Sequence, residues 1–336
     1  MLGFLVGPIA WSAAQDTNFD SFLRAGAEDA NKLIGKYMEP MVVGFSYGMS
    51  NAWYNTAKTH KTLGFDLTIT ANITAVPSSK EFFTFIDSEY QHVTSTGESN
   101  KIPTIMGPDE SGAELSFNYY DEKTGQNIRG SYKPAGLGLK EEIGYNVVPS
   151  PMVQLSIGTF KNTDLIVRYT PKITAGDFKT SVFGMGIKHD IKQWIPGIKR
   201  IPIDIALLGA FSGFDTFYDM SNLELEGENQ VSTFNVNNWT FQGIVSKKLS
   251  VLTVYGAFGY SAVTSNMQMS GTYIIEDEYD PTLTFTSVDP VDLSYSESSW
   301  RATAGMRLKF AIFTIHGDYT FQTYPIASAG IGFSFR

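Results

Sequence analysis

Residues 62–75, TLGFDLTITANITA, alternate without a break between apolar and polar side chains. Every odd position from Leu63 to Ala75 is apolar, and every even position is Thr, Gly, Asp or Asn. Because successive side chains of a β-strand point to opposite faces, this period of two predicts a strand with one apolar face. Fourteen residues extend about 46 Å at about 3.3 Å each, which suits a tilted strand that crosses a lipid bilayer and projects beyond it.

The same alternation returns three times before the C-terminus, over residues 301–310, 313–322 and 327–335. It is recognisable in further segments at 152–160, 164–172, 181–190, 203–211, 239–245 and 251–262. Charged groups such as Arg307 and Asp318 stand in the middle of the polar faces. We therefore interpret the apolar face as lipid-facing and the polar face as a lumen. Closing such a sheet removes the unpaired strand edges that lipid cannot satisfy.

The lengths of the connections follow the pattern of a transmembrane barrel, in which short periplasmic turns alternate with longer outer loops. The short turns are predicted at 161–163, 190–200, 248–250 and 311–312, and long outer loops at 213–237 and 265–296. Residues 42–49 and 80–93 are predicted as further strands, and residues 94–150 as two strands with a hairpin turn near Thr124. The fold class is then an all-β, transmembrane antiparallel barrel of about 14 strands with an N-terminal helical plug. Twelve strands is the alternative, if 94–150 is entirely an outer loop.

Composition excludes several other classes of protein. The chain is 43% hydrophobic, yet its mean hydropathy is −0.09, and after the N-terminus no apolar run reaches the roughly 18 residues of a transmembrane helix. The net charge of −9 argues against a nucleic-acid partner, because a phosphate-binding surface needs clustered Lys and Arg. The absence of cysteine excludes a disulfide scaffold and a metal site with Cys ligands.

The N-terminus is interpreted as a secretory signal peptide over residues 1–14. Leu2 to Trp11 form a short apolar core, and Ser12 and Ala14 are small residues at −3 and −1 of a cleavage site before Gln15. The basic segment that normally precedes the core is missing, so a buried N-terminal strand remains the alternative. We expect export to the bacterial outer membrane, with a plug over residues 15–41 and the barrel over residues 42–336.

Residues 18–38 are predicted as a helix, capped by Asp20 or Ser21 and ended by Pro40. Its charged side chains suit a polar lumen better than lipid, which favours a plug or hatch whose movement opens a path. A periplasmic helix that merely caps the barrel is the alternative. The candidate plug residues are Phe22, Arg24, Leu33, Ile34 and Tyr37.

The polar strand faces supply the candidate residues of the lumen or ligand path. These are Asp66, Arg168, Asp204, Arg301, Arg307, Lys309, His316 and Asp318. Such groups either pair across a narrow lumen and hold it rigid, or tune the passage of ions through an open one. His316 and Asp318 could be drawn with a Ser as a hydrolytic triad, but a hydrated polar network is the favoured interpretation. The four histidines have no metal-binding spacing, so no catalytic site, metal or cofactor is expected.

Four segments resemble an uncharacterised outer-membrane family common in Bacteroidota. They are LIGKYMEPM (33–41), AWYNTAKTHKTLGFDLT (52–68), VRYTPK (167–172) and GIKHDIKQWIPG (186–197). The architecture is also similar, more distantly, to the long-chain fatty acid transporters (FadL-like barrels), which hold an N-terminal hatch in the lumen. One departure is that the last aromatic residue, Phe335, stands one place before the C-terminal Arg336.

This architecture and resemblance imply passive transport of a small hydrophobic or amphipathic molecule across the outer membrane, without enzymatic activity. The alternative is a non-transporting structural or accessory subunit of an envelope complex, with a sealed lumen. Expected partners are membrane lipid, lipopolysaccharide, a hydrophobic small-molecule ligand and the barrel-assembly machinery.

Overall fold

The computed structural model describes residues 22–97, 99–110, 112–121, 125–198, 201–221, 226–276 and 284–335, so the predicted signal peptide lies outside the described residues. In chain order the helices and strands are α1 (Ala27–Met49), β1 (Phe65–Ala75), β2 (Phe82–Thr84), β3 (Val93–Thr96), β4 (Lys101–Pro103), β5 (Glu114–Asp121), β6 (Gln126–Tyr132), α2 (Leu139–Ile143), β7 (Val147–Gly158), β8 (Thr163–Ala175), β9 (Phe178–Asp190), β10 (Asp204–Asp219), β11 (Gly227–Leu249), β12 (Leu252–Glu276), β13 (Thr284–Val288), β14 (Val291–Phe310), β15 (Phe313–Phe321) and β16 (Ile326–Phe335).

Ten antiparallel strands of the described chain close into a ring. Their order is β1, β7, β8, β9, β10, β11, β12, β14, β15 and β16, and β16 pairs with β1. The expected all-β antiparallel architecture is confirmed, whereas the expected counts of 14 and 12 strands are wrong. The connections at 159–162, 191–203, 250–251 and 311–312 lie together at one end, as predicted, which we call the short-turn end.

β1 shows how the alternating sequence is used. Phe65 and Ile69 on its apolar face are 40% and 48% exposed on the outside of the ring, whereas Asn72 and Thr74 are fully buried inside it. The two faces predicted from residues 62–75 are therefore confirmed. The apolar face points outward and the polar face points into the lumen.

The register determines the tilt of the strands. A row of paired residues that starts at Arg168 reaches β14 at Glu297 when followed through β9 to β12. The same row reaches β14 at Lys309 when followed the other way, through β7, β1, β16 and β15. This displacement by twelve residues around ten strands corresponds to a tilt of about 40°.

The outward face carries an apolar band with aromatic residues at both edges. One edge comprises Tyr169, Phe183, Phe211, Trp239, Tyr260, Trp300 and Phe321, and the other comprises Phe65, Phe310, Phe313, Phe333 and Phe335. On β14 the band runs from Trp300 to Phe310, which is about 33 Å along the strand and about 25 Å in height at this tilt. Beyond Trp300 the outward positions of β14 are Ser298, Ser296 and Ser294, so the band ends abruptly.

Residues 76–146 form a separate small domain over the opposite end of the ring, here called the cap domain. Its strands pair with one another, β2 with β4, β3 with β5, and β5 with β6. The pairing of β5 with β6 confirms the predicted hairpin, whose turn near Thr124 lies outside the described residues. The long strand predicted over 80–93 is wrong. Because these strands form their backbone hydrogen bonds with one another, the described part of the cap domain adds no strand to the ring. The loops predicted at 213–237 and 265–296 are mostly strand, since β10, β11, β12 and β14 extend beyond the apolar band.

Helix α1 joins the cap domain to the inside of the ring. Of the helix predicted over 18–38, residues 18–21 lie outside the described residues. Helix α1 begins at Ala27 and continues past Pro40 to Met49, so the strand predicted over 42–49 is wrong. A proline inside a helix costs about 3 kcal/mol, and the burial of Val42, Val43 and Phe45 beyond it offsets that cost. No helix among the described residues is long and apolar enough to cross a membrane.

The N-terminal half of α1 is held by the cap domain. Asp29 accepts hydrogen bonds from the backbone amides of Gln91 and His92, and Lys36 pairs with Glu89. Burial in the core between them raises the pKa of the Tyr132 hydroxyl well above its usual range. The charged side chains of this half therefore bind the cap domain and not the lumen wall.

Candidate functional site

The lumen of the ring is occupied by the chain itself. Residues 48–62, here called the lumenal segment, comprise the end of α1 and the extended chain that follows it. Asn72 of β1 donates to the carbonyl of Gly48 at 3.1 Å, near the cap end. At the short-turn end the amide of Leu63 donates to the carbonyl of Gly158 at 2.9 Å, and the chain then enters β1. The segment therefore passes through the ring from one end to the other.

Inward side chains from around the ring bind this segment. Hydrogen bonds to it are donated by Asn72 (β1), Gln154 (β7), Arg168 (β8), Lys188 (β9), Thr240 (β11), Arg301 (β14) and Thr320 (β15). Ser328 (β16) accepts one from Asn51. On β12, Tyr255 packs edge-to-face against Tyr54 with ring centroids 5.9 Å apart. Eight of the ten strands thus bind the segment by hydrogen bonds, and a ninth by an aromatic contact.

Two buried arginines, which we call the arginine clamp, hold the point where α1 ends. Arg168 donates to the carbonyl of Met49 at 2.9 Å and to that of Asn51. Arg301 donates to the carbonyl and hydroxyl of Ser50 at 3.2 and 3.0 Å, and to the side-chain oxygen of Asn51. The last carbonyls of a helix lack partners within the helix and carry partial negative charge. The clamp therefore supplies these carbonyls with donors and with positive charge.

Trp53 lies against the clamp in a niche made by two glycines. The guanidinium of Arg168 stacks on the Trp53 ring at 3.6 Å from its centroid. A Cβ atom at Gly184 or Gly186 of β9 would lie 3.1 or 3.2 Å from atoms of that ring. Glycine within a strand often marks a close approach of this kind. The two glycines at alternate inward positions of residues 181–190 are the sequence signal from which this niche could have been predicted.

A second charged group, the short-turn lock, holds the other end of the segment. Asp164 of β8 accepts from the amide and Nδ1 of His60 at 2.8 and 3.0 Å, and pairs with Lys188 at 3.0 Å. Lys188 also donates to the carbonyls of Thr56 and Lys58. Asp164 and Lys188 are almost fully buried. Sequence reasoning missed all three residues, although the alternation of β8 and β9 places Asp164 and Lys188 on the inward face.

The other predicted lumen residues also lie on the inward face but bind different partners. Arg307 pairs with Asp66 at 2.9 Å, and Lys309 donates to Ser334 at 3.0 Å. His316 Nε2 contacts Thr70 at 3.2 Å, whereas Asp318 accepts from Tyr255 at 2.9 Å. Asp204 is half-buried at the short-turn end of β10, opposite Ser246. His316 and Asp318 therefore belong to separate polar pairs, which is the network interpretation and not a triad.

The predicted plug residues lie nearer to the cap domain than the arginine clamp does. Phe22, Leu33, Ile34 and Tyr37 are buried in one core. Helix α1 shares this core with the cap domain and with the strand ends next to that domain. The Phe22 ring lies 5.3 Å from Tyr37 and 5.4 Å from Tyr132. The backbone carbonyl of Arg24 accepts from Tyr119 at 3.2 Å. The residues that fill the lumen at the height of the apolar band are instead those of the lumenal segment, for which the sequence showed only a family resemblance.

We expect Gly48→Ala to displace the end of α1 from the ring wall. The added methyl group would overlap Ser150 Oγ and lie 2.9 Å from Thr74 Oγ1. Overpacking of this kind costs about 1–3 kcal/mol, and the thermal unfolding temperature should fall accordingly. Gly35→Ala in the same helix is the matched control. Its methyl group would contact only Leu293 Cδ2, at 3.1 Å, which is the end of a flexible side chain. Equal effects of the two substitutions, or no rescue of Gly48→Ala by Ser150→Gly, would contradict this account.

A family model spans this whole architecture, matching residues 1–335. The chain belongs to the family of unknown function DUF6588. Membership in DUF6588 agrees with the resemblance to an uncharacterised family. The likeness to fatty acid transporters and the link to Bacteroidota remain predictions. A search of curated proteins found no match.

Solved structures similar to this DUF6588 chain include Ail, the attachment invasion locus protein of Yersinia pestis. Ail is 10% identical, with a TM-score of 0.25, and the match covers 81% of this chain and 97% of Ail. The translocator domain of the autotransporter NalP from Neisseria meningitidis is 11% identical, with a TM-score of 0.31 and coverage of 82% and 90%. The outer membrane transporter YddB from Escherichia coli is 11% identical, with a TM-score of 0.28 and coverage of 81% and 41%. Likenesses this weak carry no argument about what the chain does.

Proposed function

We propose that this chain is a bacterial outer-membrane β-barrel whose lumen is closed by its own N-terminal segment. In this proposal it acts as a structural or accessory subunit of an envelope complex and presents the cap domain. The observation that carries the proposal is the lumenal segment, bound by hydrogen bonds to eight of the ten ring strands. A ten-stranded ring is narrow, and this one is cross-braced by its own chain.

The apolar band supports insertion into a membrane. Its height of about 25 Å and its two aromatic edges match the outer surface of transmembrane barrels. In such barrels the short turns face the periplasm, which would place the cap domain outside the cell. Lipid and lipopolysaccharide would then contact the band, and insertion would require the barrel-assembly machinery. The proposal includes no catalytic step and no metal or cofactor.

The charges of the lumen support a closed resting state. Moving the lumenal segment away would strip Arg168 and Arg301 of carbonyl partners, and Lys188 of two of its three partners. Buried polar groups that lose their partners cost about 1–3 kcal/mol each, and charged groups cost more. A path through the lumen would therefore need an energy source or a partner to displace the segment.

Transport of a hydrophobic molecule is the second candidate, and one observation favours it. The core around α1 is rich in buried methionines: Met38, Met49, Met106, Met152, Met220, Met267 and Met269. Methionine is flexible and adapts to varied apolar ligands. A hydrophobic molecule captured there, beside the plug residues Leu33 and Ile34, would reach the barrel wall by rearrangement of this core.

Conductance of the purified full chain in planar bilayers tests the closed state. We expect the wild-type protein to give no steady ion conductance and to admit no small sugar into liposomes, with a general porin as the positive control. Steady conductance by the wild type would overturn the proposal. Native mass spectrometry of the same preparation tests the second candidate, which predicts a stoichiometric hydrophobic molecule bound to the chain.

The orientation is testable because the natural chain has no cysteine. Tyr145 in the cap domain and Lys161 in a short turn are both exposed. We expect a membrane-impermeant maleimide to label Tyr145→Cys but not Lys161→Cys on intact cells, and to label both after lysis. The reverse pattern would place the cap domain in the periplasm.

A further inference from the structure

Three lysines converge on the lumen mouth at the short-turn end. Lys58 belongs to the lumenal segment, Lys248 is the last residue but one of β11, and Lys309 is the last residue but one of β14. Lys248 pairs across the sheet with Thr253 of β12, and Thr253 pairs with Arg307 of β14. Arg307, Asp66, Lys248 and Lys58 all lie within electrostatic range of Lys309. Lys58 and Lys248 are exposed, and Lys309 is half-buried. Three elements therefore bring positive charge to one place.

Two of the carboxylates near this mouth are already bound, and a third, Asp204 of β10, lies opposite Ser246 of β11. Asp66 accepts from Arg307 at 2.9 Å and from Thr68, and Asp164 belongs to the short-turn lock. Lys309 itself donates to a neutral group, the Ser334 hydroxyl, at 3.0 Å. Like charges held close together repel one another. In a chain with a net charge of −9, this is a local excess of positive charge.

Behind the lysines lie two buried donors that have no hydrogen-bond partner among the described residues. They are Arg307 Nε and Thr314 Oγ1. The side chain of Arg307 is 7% exposed, and Thr314 is 1% exposed. Thr314 pairs directly with Lys309 across β14 and β15. Because buried donors in folded proteins are nearly always satisfied, these two point to a ligand that the lysines would attract.

We propose that this mouth, formed by Lys58, Lys248 and Lys309 with Arg307 and Thr314 behind them, binds a phosphate group. A phosphate offers several acceptor oxygens and up to two negative charges, which suits flexible ammonium groups and two fixed donors. The phosphate is either free in the periplasm or part of a phospholipid head group in the adjoining leaflet. This inference goes beyond the proposed function, because it holds whether or not the lumen conducts.

Thermal unfolding of the purified full chain in zwitterionic detergent tests the site with inorganic phosphate as the probe. We expect sodium phosphate to raise the unfolding temperature of the wild type more than sodium chloride does at equal ionic strength. In Lys248→Gln/Lys309→Gln the apparent affinity should fall about tenfold or more. Lys133→Gln/Lys172→Gln removes two exposed lysines away from this mouth and should leave the phosphate effect unchanged. No phosphate-specific effect in the wild type, or a full effect in Lys248→Gln/Lys309→Gln, would overturn the proposal.

Nanodiscs distinguish the two sources of the phosphate. Native mass spectrometry would compare phosphatidylglycerol retained by the wild type and by Lys248→Gln/Lys309→Gln, with phosphatidylcholine discs as the reference. Loss of retained phosphatidylglycerol in the variant would support a lipid head group. Unchanged retention together with a lost phosphate effect would support a soluble phosphate. Conductance of the wild type would refute the closed barrel. The phosphate effect on the unfolding temperature and the amount of retained lipid would still test the phosphate site.

Discussion

Arg168→Ala/Arg301→Ala is expected to convert the closed barrel into a conducting one. The double substitution removes every donor of the arginine clamp from Met49, Ser50 and Asn51. Hydrogen bonds from charged groups contribute about 1.5–3 kcal/mol each, so the lumenal segment should detach near the end of α1. Planar-bilayer recordings should then show stepwise openings that the wild type lacks, and the unfolding temperature should fall.

Two controls separate the clamp from a general loss of charge. Arg301→Lys keeps the charge but loses the planar fork that reaches Ser50 and Asn51 together, and its effect should be intermediate. Lys161→Ala/Lys247→Ala removes two exposed charges at the short-turn end and should leave the barrel closed. If Arg168→Ala/Arg301→Ala stayed closed and as stable as the wild type, the clamp would not be what retains the segment.

Asp164→Asn is expected to destabilise the barrel by about 3–5 kcal/mol, because it leaves Lys188 buried without a counter-charge. Lys188 is 3% exposed and lies 3.0 Å from Asp164. His60 would lose the same carboxylate. Unfolding in denaturant, followed by the change in electrophoretic mobility of the barrel, measures the loss.

The matched control for Asp164→Asn is Asp190→Asn. Asp190 is half-buried, and among the described residues its carboxylate accepts one hydrogen bond, from the backbone amide of Lys192 at 2.8 Å. Its substitution should cost less than about 1 kcal/mol. Adding Lys188→Met to Asp164→Asn should recover part of the loss, since both members of the pair are then neutral. If the changes in the free energy of unfolding caused by the two substitutions were strictly additive, Asp164 and Lys188 would not stabilise each other.

Alternation alone was sufficient to recognise most ring strands. The period of two places Arg168, Arg301, Arg307 and His316 on inward faces, because a residue's parity within a strand determines its side. Glycines and aromatic residues did not obscure this pattern where one side of the strand faced out of the ring. Parity could equally have identified Asp164 and Lys188, which we overlooked because neither formed a recognised motif.

The strand count was wrong because the alternation criterion does not state what a strand pairs with. The cap-domain strands β2–β6 pair among themselves, and residues 42–49 continue α1 past Pro40. Both outcomes depend on contacts between residues far apart in the chain. Packing of Val42, Val43 and Phe45 in the core of α1 decided the second case against the local preference of proline.

The sequence by itself determined the antiparallel strands, their two faces and the inward position of the charged residues, because these depend on the local geometry of an extended chain. Only the tertiary structure decided that ten strands close the ring and that residues 48–62 fill it. Arg168, Arg301 and Asp164 find their partners in that segment, more than a hundred residues away. Such pairings depend on ring size and strand tilt, and no local pattern in the chain encodes these.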